Sequence, residues 1–223
     1  EMTQKEIAQR LGFSRIKVLR LLKQAREEGI VEINIKTPDK YYPESENDLR
    51  AKYDLRDALV IPDFENEESL YHALAQTGAN YLPNILSKGV NVGVGLSKTL
   101  YYLQKYVEPD GSLGGNFYSL TGGLTQVPDE YEHTNVIANL ASAFGGTAFS
   151  ILAPIFVSGP DVKDMLSQEK SIESILKQAK NCDIVITSVG AHDKNSVLFK
   201  YTPLNFEEEV DLILNRQVGD VLG

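Results

Sequence analysis

The sequence predicts an α/β protein in two parts: an N-terminal winged helix-turn-helix, then a mostly parallel, Rossmann-like sheet covered by helices. Three observations predict it. Residues 3–28 carry two short helical patterns separated by a tight break. From residue 55 onward, apolar runs alternate with helical stretches, which is the pattern of a parallel sheet buried on both faces. The charge divides with these parts. Residues 1–40 hold nine Lys and Arg against six Asp and Glu; the whole 223-residue chain has 22 against 31, which leaves 13 against 25 for the remainder. A small basic module precedes a large acidic one, an asymmetry that suits a polyanionic partner for the smaller part.

In the first helical pattern, Thr3-Gln4-Lys5-Glu6 has the capping-box spacing: a hydroxyl takes the amide three residues on, and the glutamate reaches back. Ile7, Ala8 and Leu11 repeat at helical spacing, and Gly12 follows where a left-handed C-terminal cap belongs. The second helix starts on Ser14 as N-cap, with Val18, Leu21, Leu22 and Ala25 at i, i+3, i+4 and i+7 as its buried face. Arg15, Ile16, Lys17, Arg20, Lys23 and Gln24 occupy the leading turn and the opposite side. Such side chains hold phosphates and read base edges in the major groove, so with Thr3 and Gln4 they are the candidate DNA contacts. From Arg10 to Arg26 there are six basic residues and no acid, which fits DNA better than an ordinary solvated helix face.

Residues 31–35 alternate as a half-buried strand does and are placed to be the wing. Residues 37–46, with two prolines and two tyrosines, read as linker, and 44–52 as a connecting helix. The expected domains are therefore 1–36 for DNA binding, 37–54 as linker and 55–223 for a ligand-binding domain. In the last, strands are expected over 58–61, 90–94, 117–120, 147–152 and 184–189. Helices are expected over 67–86, 99–106, 130–144, 162–180 and 206–214.

Ligands of such sheets bind outside the carboxyl ends of the strands. There stands Val92-Gly93-Val94-Gly95-Leu96-Ser97-Lys98-Thr99, leading straight into a helix. Glycines admit an anion to the backbone, Ser97 and Thr99 donate hydroxyls, and Lys98 adds charge, so the loop is expected to bind phosphate. Lys98 also has the alternatives of an exposed side chain or a desolvated Schiff-base lysine. Later strands end in Thr121-Gly122-Gly123, Ala153-Pro154 and Gly190-Ala191-His192-Asp193, which are placed to converge on the same pocket. For Gly122 and Gly123 a plain turn serves as well as ligand contact.

Several chemistries fit poorly. In a Walker A loop the lysine precedes the Ser or Thr after a longer gap, whereas Ser97 precedes Lys98. A dinucleotide fingerprint needs a third glycine where Lys98 stands, and a nucleophile elbow needs one where Thr99 stands. His72, His133 and His192 lie far apart, at no metal-ligand spacing with Cys182. No cofactor, metal or catalytic residue is expected. His192 with Asp193 is the one acid-base pair adjacent to a strand, and it leaves a sugar-phosphate isomerase- or deaminase-like enzyme as the alternative. A single cysteine forms no internal disulfide, and no run of 18 apolar residues or signal-peptide pattern is present, so a cytoplasmic protein with no membrane partner is expected.

Taken together, Thr3 to Gly12, Ser14-Arg15, and Leu21-Leu22-Lys23-Gln24-Ala25-Arg26-Glu27-Glu28-Gly29-Ile30-Val31 closely resemble the start of SorC-type bacterial transcriptional regulators. The resemblance continues through Gly93-Val94-Gly95, Thr121-Gly122-Gly123, Ala153-Pro154 and Val218-Gly219-Asp220-Val221-Leu222-Gly223. It implies a sugar-responsive regulator of the SorC/DeoR type, usually a repressor, acting as a dimer or tetramer on double-stranded operator DNA. It also implies an effector domain similar to sugar-phosphate isomerases and deaminases that binds a phosphorylated sugar. By this similarity Gly95, Leu96, Ser97, Lys98 and Thr99 hold the phosphate, with Gly122, Gly123 and Gly190 lining the pocket; Gly93 and Thr121, from the same strand-end loops, complete the candidate effector contacts. Members of the family carry a helix before Thr3 and continue beyond Gly223 with further strands and a lysine-bearing loop. The chain is therefore expected to lack the first helix of its DNA-binding domain and the C-terminal part of its effector domain.

Overall fold

A computed structural model describes residues 3–27, 42–124, 127, 132–191 and 219–221. The expected wing at 31–35 and helix at 206–214, as well as His192 and Asp193, lie outside the described residues. The chain divides into two compact units, residues 1–44 and 45–223.

In the first unit, helix α1 (Gln4–Leu11) is set by its ends. Thr3 Oγ1 accepts from the Glu6 amide at 3.3 Å, and Glu6 Oε2 accepts from the Thr3 amide at 2.6 Å, closing the capping box. The Thr3 amide, together with the Thr3 hydroxyl that also donates to Glu6 Oε2 at 2.8 Å, holds the Glu6 carboxyl below the usual carboxylate range. Gly12 takes φ 66° and ψ 26°, a left-handed cap that costs little only without a Cβ. Helix α2 (Arg15–Glu27) begins where Ser14 Oγ accepts from the Lys17 amide at 3.2 Å. The two helices pack, burying Ala8 and Val18. The expected buried face extends no further, for Leu21 and Leu22 are 44% and 39% exposed.

The second unit opens with α3 (Pro43–Tyr53) and α4 (Glu67–Ile85), the latter capped by Asn66, whose Oδ1 accepts from the Glu68 amide. Between them the strand expected at 58–61 does not form. Buried Glu46 takes the Val60 amide at 3.0 Å and Asp57 takes that of Ala58, so side chains capture donors that a sheet ladder needs.

The sheet comprises β1 (Asn91–Val94), β2 (Asn116–Ser119), β3 (Thr147–Phe149) and β4 (Ile184–Ile186), in the order β3-β2-β1-β4 with every pair parallel. Helix α5 (Lys98–Leu103) follows β1, α6 (His133–Ala143) follows β2, and α7 (Pro160–Gln168) and α8 (Lys170–Ala179) follow β3. The core joins Ala75 and Leu82 of α4, Val92 of β1, Leu100 of α5, Phe117 of β2 and Ile137 of α6. Phe117 and Phe144 stack at 6.0 Å between centroids.

The single helix expected over 162–180 is two helices meeting at Glu169, which has an extended ψ of 125°. The sequence carries the reason. Half-buried Val162 and Leu166 recur ten residues on as Ile172 and Leu176, and ten residues at 100° each displace the stripe by about 80°, so one straight helix cannot turn both stripes to the core. The run expected over 184–189 likewise divides: β4 ends at Ile186, and β5 (Val189–Ala191) pairs antiparallel with β6 (Gly219–Val221) in a separate two-stranded sheet.

Candidate effector site and basic helix

The carboxyl edge of the sheet is built by loops tied in pairs. After β1, the Gly95 amide donates to the Ile186 carbonyl of β4 at 2.9 Å, and a Cβ on Gly95 would lie 2.7 Å from Thr187 Oγ1. After β2, the Leu120 amide donates to the Val94 carbonyl at 3.1 Å. The Gly123 amide donates to Ala153 and the Gly123 carbonyl accepts from Ile155, both at 2.9 Å. A Cβ on Gly122 would stand 2.4 Å from the Ala153 carbonyl oxygen and 2.7 Å from Pro154 C and O, all backbone. Gly122 is thus glycine because another loop crosses it. Gly123, by contrast, would meet nothing within 4 Å.

In the phosphate-type loop Gly93, Gly95 and Leu96 are buried, and Ser97, Lys98 and Thr99 are half-buried. Ser97 caps α5, its Oγ accepting from the Leu100 amide at 3.3 Å. The Lys98 ammonium sits 4.2 Å from the centroid of the Tyr71 ring. Gly190 lies in β5 opposite Asp220.

Among the described residues, two polar atoms at this edge, Thr121 Oγ1 and His133 Nε2, are buried without a hydrogen-bond partner. His133 is 5% exposed at the start of α6, and a hydrogen bond ties its ring to the Val94 backbone. Burial holds the imidazole down at about 4, against that hydrogen bond, so it is neutral near pH 7. Sequence reasoning weighed His133 only as a metal ligand. No periodicity or spacing marked it for this edge, because its burial comes from packing. Among the described residues no group of three or more His, Cys, Asp or Glu could hold a metal ion.

In the first unit Arg15, Ile16, Lys17, Arg20 and Gln24 of α2 are exposed with Thr3 and Ser14, Gln4 is half-buried, and Lys23 lies within α2. Ile16 and Leu19 are 66% and 46% exposed, and the Lys17 ammonium lies 3.9 Å from the Phe13 ring centroid. Among the described residues no helix is long and apolar enough to cross a membrane.

A family model described as "Putative sugar-binding domain" matches residues 42–223. The chain belongs to this family. The chain is 29% identical to the deoxyribonucleoside regulator of Bacillus subtilis, over 99% of its own length and 71% of the relative's. It is 26% identical to the erythritol catabolism regulatory protein EryD of Brucella abortus, covering 71% of that protein, and 27% identical to the transcriptional regulator LsrR of Klebsiella pneumoniae, covering 67%. In fold it is similar to the full-length sorbitol operon regulator SorC of Klebsiella pneumoniae, with a TM-score of 0.75 at 24% identity over the whole of this chain and 73% of that one. The SorC/DeoR-type resemblance read from the motifs therefore holds, and these relatives are named as regulators, in keeping with a chain that is not an enzyme.

Proposed function

We propose that the protein is a DNA-binding transcriptional regulator of carbohydrate metabolism, a cytoplasmic repressor whose grip on its operator is set by a phosphorylated sugar. Residues 1–36 form the helix-turn-helix domain, 37–54 the linker and 55–223 the effector domain. The observation that carries this reading is the union, in one chain, of a sugar-binding family domain over 42–223 with an N-terminal helix whose exposed side is basic. Arg15, Lys17, Arg20, Lys23 and Gln24 enter the major groove or hold its phosphates, with Thr3, Gln4, Ser14 and Ile16 at the margin. The effector's phosphate rests on Gly93, Gly95, Leu96, Ser97, Lys98 and Thr99, with Thr121, Gly122, Gly123 and Gly190 around the sugar. Lys98 leaves the Tyr71 ring to meet the phosphate, exchanging a cation–π contact for a charge-assisted one.

A homodimer or tetramer is the functional state, since paired recognition helices match paired half-sites. The effector acts by binding the DNA-competent and DNA-incompetent arrangements unequally; equal affinity would shift nothing. Selection of binding sites from random duplexes, followed by titration at several salt concentrations, tests the DNA half. With about six phosphates neutralised per dimer, log affinity should fall against log salt with a slope near −5. Affinity independent of salt would refute it.

A further inference from the structure

At the carboxyl edge of the sheet, His133 Nε2 and Thr121 Oγ1 find no hydrogen-bond partner among the described residues. Val94 and Ser119 are partners in the register of β1 and β2, so they share the last rung of the sheet. The Val94 carbonyl accepts from the Leu120 amide, and the His133 ring also bonds the Val94 backbone. Ser119 is 1% exposed, and its hydroxyl donates to the Thr121 carbonyl. Both orphans therefore hang from one rung, between the phosphate-type loop and the Thr121-Gly122-Gly123 turn. Among the described residues Nε2 has no partner, and the neutral imidazole offers there either a lone pair or an N–H, both of which a hydroxyl can meet.

Buried polar groups are ordinarily paired, and an unpaired one costs enough that its persistence calls for a reason. We propose that His133 Nε2 hydrogen-bonds a sugar hydroxyl of the effector, with Thr121 Oγ1 serving a neighbouring hydroxyl or ring oxygen. This assignment rests on the proposed function and gives that site its sugar-reading groups, separate from the phosphate-reading loop. The chemistry selects a ligand with a free hydroxyl beyond its phosphate. Neither atom meets solvent in the ligand-free structure, so the contact requires the sheet edge to rearrange around the ligand.

The test compares the intact protein with His133→Asn, His133→Gln and Thr121→Val by calorimetric titration against ribose 5-phosphate, ribose and inorganic phosphate, with each ligand-free melting midpoint recorded. Asn keeps a donor for the Val94 carbonyl and removes the Nε2 position; Gln restores a polar atom near it. His133→Asn should weaken ribose 5-phosphate about tenfold, the loss of one net hydrogen bond, and leave inorganic phosphate unchanged, while His133→Gln recovers part of the loss. Thr121→Val should weaken the sugar phosphate yet raise the ligand-free midpoint, since it removes a buried orphan; a merely structural hydroxyl would do the opposite. Equal loss for ribose 5-phosphate and phosphate, or no loss in His133→Asn, overturns the assignment. If ribose binds the wild type, ribose 5-phosphate does not, and His133→Asn loses ribose, the phosphate reading fails while this one stands. Binding of neither sugar probe to the wild type overturns both.

Discussion

Acid should loosen this protein through His133. Its imidazole titrates at about 4 in the folded chain because burial penalises the cation, against about 6.5 in an unfolded one. A base whose folded pKa is depressed binds its proton preferentially in the unfolded state. Stability is therefore complete above about pH 6.5 and lost as pH falls from there through 4. At pH 5 the unfolded imidazole is almost wholly protonated and the folded one about a tenth so, which costs about 2 kcal/mol relative to pH 7. For a chain of this size that corresponds to roughly 4 to 8 °C in melting midpoint. Carboxylates also titrate in this window, so the quantity to measure is a difference. Wild type and His133→Asn are unfolded in urea at half-unit steps from pH 7.5 to 4.5, and the gap between their stabilities is plotted. The gap should move by about 2 kcal/mol in favour of the variant between pH 7 and 5. Parallel profiles would refute the placement of a buried, neutral His133 beside Val94.

Three further outcomes follow from named contacts. Gly122→Ala forces a Cβ against the Ala153 and Pro154 backbone, so it should lower stability by about 1 to 3 kcal/mol in denaturant unfolding and weaken ribose 5-phosphate, whereas Gly123→Ala, which meets open space, should leave stability within about 0.5 kcal/mol of wild type. Ile137→Ala empties a fully buried position of α6 and should cost about 2 to 5 kcal/mol by the same unfolding measurement. Arg15→Ala and Arg20→Ala should each weaken duplex binding in an anisotropy titration. A base-reading arginine costs about 1 to 3 kcal/mol and relaxes one operator position, while a phosphate-holding one weakens all sequences alike and reduces the salt slope by about one. Unchanged affinity in both variants removes α2 from the interface.

What could be read from the sequence was local. The Thr3–Glu6 capping box and the left-handed Gly12 depend on residues within one turn, and the alternation of apolar runs foretold a parallel sheet, although the strand expected over 147–152 stops at Phe149. What could not be read depended on distant neighbours. The strand expected at 58–61 was lost to Glu46, fourteen residues from Val60, whose carboxylate occupies the amide. Leu21 and Leu22 kept helical spacing, but spacing does not supply a partner to cover them. The two-helix break at Glu169 was present as a phase shift between Val162–Leu166 and Ile172–Leu176. In the candidate site the glycines were visible as small residues at strand ends, but not that Gly122 is crossed by Ala153–Pro154 while Gly123 is open. His133 was invisible as a site residue because its significance lies in an unpaired ring nitrogen, which exists only once α6 packs on β2 and β3.

The most direct test of the central claim is a thermal melt of the protein against sugar phosphates and the same sugars without phosphate, with phosphorus NMR on every ligand that raises the midpoint. Deoxyribose, erythritol and sorbitol, each with its phosphate ester, form a suitable panel. At about a hundred times its dissociation constant a ligand stabilises by about 2.7 kcal/mol, which should raise the midpoint by roughly 5 to 10 °C. The account predicts that rise with a phosphate ester whose phosphorus spectrum shows no conversion. A rise with a neutral sugar alone would contradict the phosphate role of Gly93 to Thr99, and a rise accompanied by turnover would contradict a regulator that senses its ligand without changing it.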